Sequence, residues 1–220
     1  SQALLKGRVT EREAFNLAFG SFVLAALLGT ALIAVRGWPV ALLGVLGLAL
    51  GWGYTAPPLQ YKYKAIGLPF VFTLMGPLMV IGSYFVITGG FSITALIASL
   101  PIGLLVSAIL HGNEWRDIAD DARYGIGTFS ALVGRKWAHL TYIGLVTAAY
   151  IAVVIAVLAN ALPVASLLSL LSLPFFVRSI RSAELGINGL QRAIANIDLE
   201  TAQLHGAFGA LYVIGLALHF

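Results

Sequence analysis

Ala65-Ile-Gly-Leu-Pro-Phe-Val-Phe-Thr-Leu-Met75-Gly-Pro-Leu-Met-Val-Ile-Gly-Ser-Tyr-Phe85-Val-Ile-Thr-Gly-Gly-Phe-Ser-Ile-Thr-Ala95-Leu-Ile-Ala-Ser-Leu-Pro-Ile-Gly-Leu-Leu105-Val-Ser-Ala-Ile-Leu-His-Gly-Asn113 runs without one Asp, Glu, Lys or Arg. A helix crosses the hydrocarbon core of a bilayer with about 20 apolar residues. This run is about twice that length, and Thr88-Gly89-Gly90 punctuates its middle as a turn. It therefore reads as two spans joined by a tight hairpin. Working outward, Trp137 to Val177 repeats the pattern, with Asn160-Ala161-Leu162-Pro163 as its turn. Ala14 to Val35, Gly37 to Tyr61 and Thr201 to Phe220 supply one span each. The expected fold is all-α, a polytopic transmembrane helix bundle of seven spans forming a single membrane-embedded domain over residues 1–220.

Composition agrees, since 60% of the residues are hydrophobic and 10% charged, against roughly 25% charged in soluble domains. Cysteine is absent, which excludes disulfides, thiolate nucleophiles and cysteine-ligated metal centres. The net charge of +4 is spread over short segments between spans, which points to anionic lipid headgroups and not to nucleic acid.

When the spans alternate, Lys6, Arg8, Arg12, Lys62, Lys64, Arg116, Arg123, Arg135, Lys136, Arg178, Arg181 and Arg192 fall on one face, and only Arg36 on the other. The positive-inside rule makes the charged face cytoplasmic. All nine acidic residues share that face, a bias the rule does not require. The expectation is an integral protein of the cell (inner) membrane whose polar chemistry faces the cytoplasm. Residues 184–200, with Leu185, Leu190, Ile194 and Ile197 at roughly helical spacing, suggest an amphipathic helix on that surface.

The densest charge lies just after the long run, in Asn113-Glu-Trp-Arg116-Asp117-Ile-Ala-Asp-Asp121-Ala-Arg123. If the helix continues, Asn113, Asp117 and Asp121 stack on one face, with Cα atoms about 6 Å apart along the axis. Two like charges at that spacing repel unless a cation lies between them. Oxygen-only ligands favour magnesium, which binds through one or two carboxylates plus substrate phosphates. With Lys62, Lys64, Arg116 and Arg123 around it, such a metal suits a diphosphate on a hydrocarbon tail. Gly76, Gly82, Gly103, Phe70, Phe72, Tyr84 and Phe85 are candidate linings for the tail, or plain helix-packing and lipid-facing residues. A solvated helix end would also carry these carboxylates, and topology anchoring would also explain the lysines. His111, His139 and His205 lie near the same face without ligand spacing, which favours interfacial hydrogen bonding.

Asn113 to Thr128, followed by Leu132-Val-Gly134, closely resembles the second aspartate-rich motif of UbiA-superfamily intramembrane prenyltransferases, most like the branch that prenylates dihydroxynaphthoate on the way to menaquinone. Gly53-Tyr-Thr-Ala-Pro-Pro-Leu-Gln-Tyr-Lys-Tyr-Lys64-Ala-Ile-Gly67 resembles the loop before the family's fifth helix, and Met75 to Tyr84 that helix. Ser1 to Thr10 resembles the segment just after the first aspartate-rich motif. Ile126 stands where a lysine is usual, and Leu68 where an acidic residue is often found.

The resemblance implies a nine-span fold of which this chain supplies seven, so the first two helices and the first aspartate-rich motif are expected to be absent from it. It also implies a magnesium-dependent transfer of a prenyl chain from an allylic polyprenyl diphosphate to an aromatic acceptor among membrane lipids. Asp117 and Asp121 would hold the metal, Asn113 and Arg116 would complete the catalytic group, and Lys62, Lys64 and Arg123 would bind the diphosphate. On that reading the 220-residue chain alone is inactive. Other acceptors (hydroxybenzoate, a chlorophyllide, haem, a glycerol lipid) and a noncatalytic lipid-binding role remain open. A transporter is disfavoured, because the charges lie at one surface and not at the midplane.

Overall fold

The computed structural model describes Gly7 and residues 9–218, so Lys6, Arg8 and most of the segment Ser1 to Thr10 lie outside the described residues. Among the described residues the chain is all-helical, with no strand. We number the helices α1 (Glu11–Arg36), α2 (Trp38–Gly53), α3 (Gly67–Thr88), α4 (Ile93–Arg116), α5 (Ile118–Arg123), α6 (Phe129–Leu158), α7 (Val164–Ile187) and α8 (Ile197–Ala217). Each expected span falls on one of them. Five, namely α1, α3, α4, α6 and α7, are long and apolar enough to cross a membrane. The other two differ: α2 has 16 residues, and α8 opens on a turn bearing Asp198 and Glu200.

Helix ends follow local chemistry. Thr10 and Glu13 form a reciprocal capping box at the start of α1, with Glu13 N donating to Thr10 Oγ1 at 3.2 Å and Thr10 N donating to Glu13 Oε2 at 2.8 Å. Gly37, at φ 77°, turns the chain into α2. Within α3, Pro77 sits in a π-helical turn, Leu74–Leu78. A proline ring crowds the preceding turn and lacks an N–H, and the wider turn accommodates both. Arg36 was the lone basic residue expected on the bare face. Its guanidinium closes the far end of α3, donating to Val86 O at 2.6 Å and Ile87 O at 2.5 Å.

The core lies between α4, α6, α7 and α8. Trp115, Tyr142, Phe208 and Tyr212 are its largest buried side chains. The buried tyrosines find partners for their hydroxyls: Tyr142 Oη lies 2.6 Å from Thr201 Oγ1, Tyr150 Oη 2.6 Å from Ser172 Oγ, and Tyr212 Oη donates to Ala98 O at 3.2 Å, whereas the Trp115 indole N–H is buried without a partner. His111 follows the same rule, with Nε2 at 2.7 Å from Ala138 O. By contrast, α1 buries no residue, and Leu17 and Val35 are exposed as lipid-facing side chains would be.

One detail decides between two expectations, and another departs from one. Gly76 and Gly103 are the contact between α3 and α4: a methyl group on Gly76 would sit 2.8 Å from Gly103 Cα, and one on Gly103 3.0 Å from Phe72 O. Of the three glycines named as candidate linings, Gly82 alone borders an apolar cleft of about 820 Å³ between α1, α2 and α3, and Gly76 and Gly103 pack helix on helix. Residues 184–200 are not one surface helix. Gly189 at φ 106° breaks the segment into the end of α7, a turn and a short 3₁₀ piece (Gln191–Ile194), and Ile194 and Ile197 are buried.

Because the α3–α4 contact is backbone against backbone, Gly103→Leu should destabilise the bundle by about 1–3 kcal/mol. Thermal unfolding in detergent should show a clear fall in midpoint, whereas Gly90→Ala, with open space around it, should leave the midpoint unchanged.

Candidate active site at the polar end of the bundle

The charged segments meet at one end of the bundle. α4 stops at Arg116, where Asp117 leaves helical geometry (φ −93°, ψ 6°) before α5 begins. The expected unbroken helix through Asp121 is therefore interrupted by one residue. The four-residue register survives the break, because Asp117 N still donates to Asn113 O at 3.1 Å and Asp121 N to Asp117 O at 2.9 Å.

Arg116 organises the near side. Its Nε donates to Asp117 Oδ1 at 2.8 Å and its Nη2 to Asp117 Oδ2 at 3.1 Å, a bidentate pair. Nη2 also donates to Asn113 Oδ1. Nη1 reaches Asp198 Oδ2 on α8 at 2.7 Å. Asn113, Arg116 and Asp117 are thus brought into one hydrogen-bonded group, as the motif suggested. Asp198 joins them from a distant segment and carried no local signal in the sequence.

Asp121 sits one turn on, half-buried, and accepts from Thr128 Oγ1 at 3.2 Å. That hydroxyl also caps α6 by accepting from Ala131 N at 3.3 Å. Partial burial pushes the Asp121 carboxyl above the usual carboxylate range, the Thr128 hydroxyl opposes this, and the nearby Asp117 charge adds to the rise. Glu114 was not singled out from the sequence, because it points away from the Asn113–Asp117–Asp121 face. It is 5% exposed, and its Oε2 accepts from Ser130 N at 3.4 Å in the first turn of α6. A methyl group on Gly67 would lie 3.7 Å from Glu114 Oε1 and 3.8 Å from Lys62 Cα. The carboxylate therefore stands where α4, α6 and the Lys62 loop converge.

The cations are placed unequally. Lys62 Nζ lies 5.9 Å from the Tyr54 ring centroid and 5.6 Å from that of Tyr63, held between two aromatic faces. It is close enough to Asp121 to pull that carboxyl's pKa back down. Tyr61 fixes the loop beneath it, with its hydroxyl donating to Leu50 O and its ring stacked on Phe70 at 4.3 Å. Lys64 contributes mainly through its backbone, which pairs with Gly127 and ties this loop to the end of the aspartate motif. Its Nζ donates to Pro58 O at 3.3 Å. Arg123 is exposed and pairs loosely with Asp120 at 3.7 Å.

The UbiA prenyltransferase family profile matches residues 1–185. The chain belongs to the UbiA prenyltransferase family. A 1,4-dihydroxy-2-naphthoate octaprenyltransferase of Bacillus subtilis (strain 168) is 31% identical over 99% of this chain and 70% of its own length. Human UbiA prenyltransferase domain-containing protein 1 is 30% identical over 78% of this chain and 48% of its own length, and the Drosophila melanogaster homolog is 32% identical over 89% and 51%. The chain thus spans about half the length of the animal relatives.

Among the described residues no three His, Asp or Glu side chains form a ready metal cluster. Asp117 and Asp121, with the Asn113 amide, would leave half of an octahedral shell to water and phosphate oxygens, which suits magnesium's reluctance to dehydrate. The donor set is compatible with that ion, and the Arg116 guanidinium on Asp117 is its competitor.

Two outcomes follow. Glu114→Ala leaves the Ser130 N–H without its partner and should cost about 1–3 kcal/mol, read as thermal destabilisation, while Glu114→Gln should recover most of it. Asp121 titrates above its unfolded value, so the fold holds its proton more tightly than the unfolded chain does. That contribution is complete below the unfolded pKa of about 3.9 and is lost as pH rises through the higher folded value. Asp121→Asn should therefore melt above the native chain at neutral pH without divalent ions, and the gap should close as the pH falls to about 4.

Proposed function

We propose that the protein to which this chain belongs transfers a prenyl chain from an allylic polyprenyl diphosphate to an aromatic acceptor, with dihydroxynaphthoate in menaquinone biosynthesis as the acceptor. The observation that carries the reading is the Asn113–Asp117–Asp121 register, beside Lys62, at the end of a helix long and apolar enough to cross a membrane. Family membership supports the reaction class, and the similarity to a naphthoate octaprenyltransferase supports the acceptor. The charge asymmetry supports a site opening to the cytoplasm from the cell membrane.

Asp117 and Asp121 would hold magnesium, which when bound would supply charge neutralisation for a diphosphate leaving group. Lys62, preset between Tyr54 and Tyr63, contributes a cation to the same oxygens without side-chain reorganisation. Asn113 offers an amide to a ligand or to bound water, and Arg116 holds Asp117 in register. Lys64 and Arg123 are held by Pro58 O and Asp120, and either would need to swing from its present partner to touch the diphosphate. The allylic C–O bond breaks with its electron pair leaving on the diphosphate, an acceptor ring carbon forms the new C–C bond, and the ring's carboxylate departs as carbon dioxide. Apolar helix walls keep water from the allylic cation.

The test is binding of a prenyl diphosphate to the detergent-solubilised chain with and without magnesium. Native chain should bind in a magnesium-dependent way, and an Asp117→Ala, Asp121→Ala double variant should lose about 100-fold or more. Equal binding by both would remove the carboxylates from the site. Turnover by the full-length protein across an acceptor panel then decides the acceptor, with dihydroxynaphthoate expected to be preferred.

A further inference from the structure

Asp198 has no place in the motif, yet it makes one of the shortest ion pairs at the site. Its position is set by packing. Gly112 lets the start of α8 press onto α4: a methyl group there would lie 3.3 Å from Ile197 Cγ2 and 3.6 Å from Asp198 N. Ile197 is fully buried at this contact. The next side chain, Asp198, therefore meets Arg116 one turn further along α4, with Nη1 and Oδ2 2.7 Å apart. Arg116 is held on opposite edges by two carboxylates: Nε and Nη2 face Asp117, and Nη1 faces Asp198.

This arrangement resolves a conflict at the site. A guanidinium paired bidentately with Asp117 occupies the oxygens a divalent cation would use, and its charge repels that cation. We infer that Asp198 is a positioning residue that serves as a second seat for Arg116. It holds the guanidinium when a divalent cation takes Asp117, so cation binding does not have to strand an unpaired arginine. Asp198 also offsets the positive charge of Arg116, leaving Asp117 and Asp121 free to attract the ion. The inference rests on the metal-binding reading above and adds a residue of the last helix to it.

Manganese, a spectroscopic substitute for magnesium, tests the inference without turnover. Its affinity for the solubilised chain is measured by electron paramagnetic resonance in five forms: native, Asp198→Asn, Asp198→Glu, Arg116→Gln and the Arg116→Gln, Asp198→Asn double variant. Asp198→Asn should weaken binding about tenfold, the scale of one charge-assisted hydrogen bond, while Asp198→Glu restores most of the affinity. In the Arg116→Gln background, where there is no competitor to seat, the same Asp198→Asn change should have under about twofold effect. An equal loss in both backgrounds would overturn the inference, because Asp198 would then act on the ion directly. No loss in either would overturn it too. If the native chain binds no manganese, the metal reading falls first and takes the second seat with it; if it binds and the cycle shows no coupling, only the second seat falls. Far-ultraviolet circular dichroism and thermal unfolding of each variant separate loss of binding from loss of fold.

Discussion

A buried carboxylate at a helix start holds the polar end of this protein together. Glu114, at the end of α4, places its carboxyl group against the Ser130 N–H in the first turn of α6, where the helix leaves unpaired donors and positive dipole charge. Burying a polar side chain is costly unless it is hydrogen-bonded, so the contact fixes how two long helices meet. That junction sets the height of Thr128, which sets Asp121, and it brings Gly67 and the Lys62 loop against the same carboxylate. The site residues are thus arranged by a side chain that lies outside the Asn113–Asp117–Asp121 register.

The bilayer explains why the site sits where it does. Apolar surroundings offer no partners to a charge, so polar chemistry gathers at an end of the bundle where several helix termini lie together. At the opposite end Arg36 is consumed in closing α3. Tyr142 and Tyr150, buried in the core, each find a hydroxyl on a neighbouring helix, and these pairs fasten α6 to α8 and to α7 without placing charge in the hydrocarbon.

How much of this was legible in the sequence depends on the range of the interaction. Helix positions followed from unbroken apolar runs, and the Asn113–Asp117–Asp121 register from a local period that the backbone hydrogen bonds maintain through the break at Asp117. The surface helix expected over 184–200 was misjudged, because apolar spacing is compatible with a broken segment and Gly189 decides otherwise. Gly76 and Gly103 illustrate the same limit: a small residue reads equally as cavity lining or as contact, and only the partner helix distinguishes them. Asp198 and Glu114 were invisible for a further reason. Their partners lie 16 or more residues away in chain, and no periodicity encodes such a meeting.

Lys62 shows how the fold gives a common residue a specific task. A lysine on a short loop between helices ordinarily spends its charge on water and headgroups. Here Tyr61 is anchored by its hydroxyl to the end of α2 and by its ring to Phe70 on α3, so the loop has little freedom. Tyr54 and Tyr63 then flank the ammonium with their ring faces, which stabilise a cation while leaving its hydrogen-bond donors unspent. The Tyr54 phenol, of a type that ionises at about pH 10, is neutral at physiological pH. A neutral aromatic seat leaves the lysine's full charge available to an arriving anion, whereas a carboxylate partner would have to be displaced first.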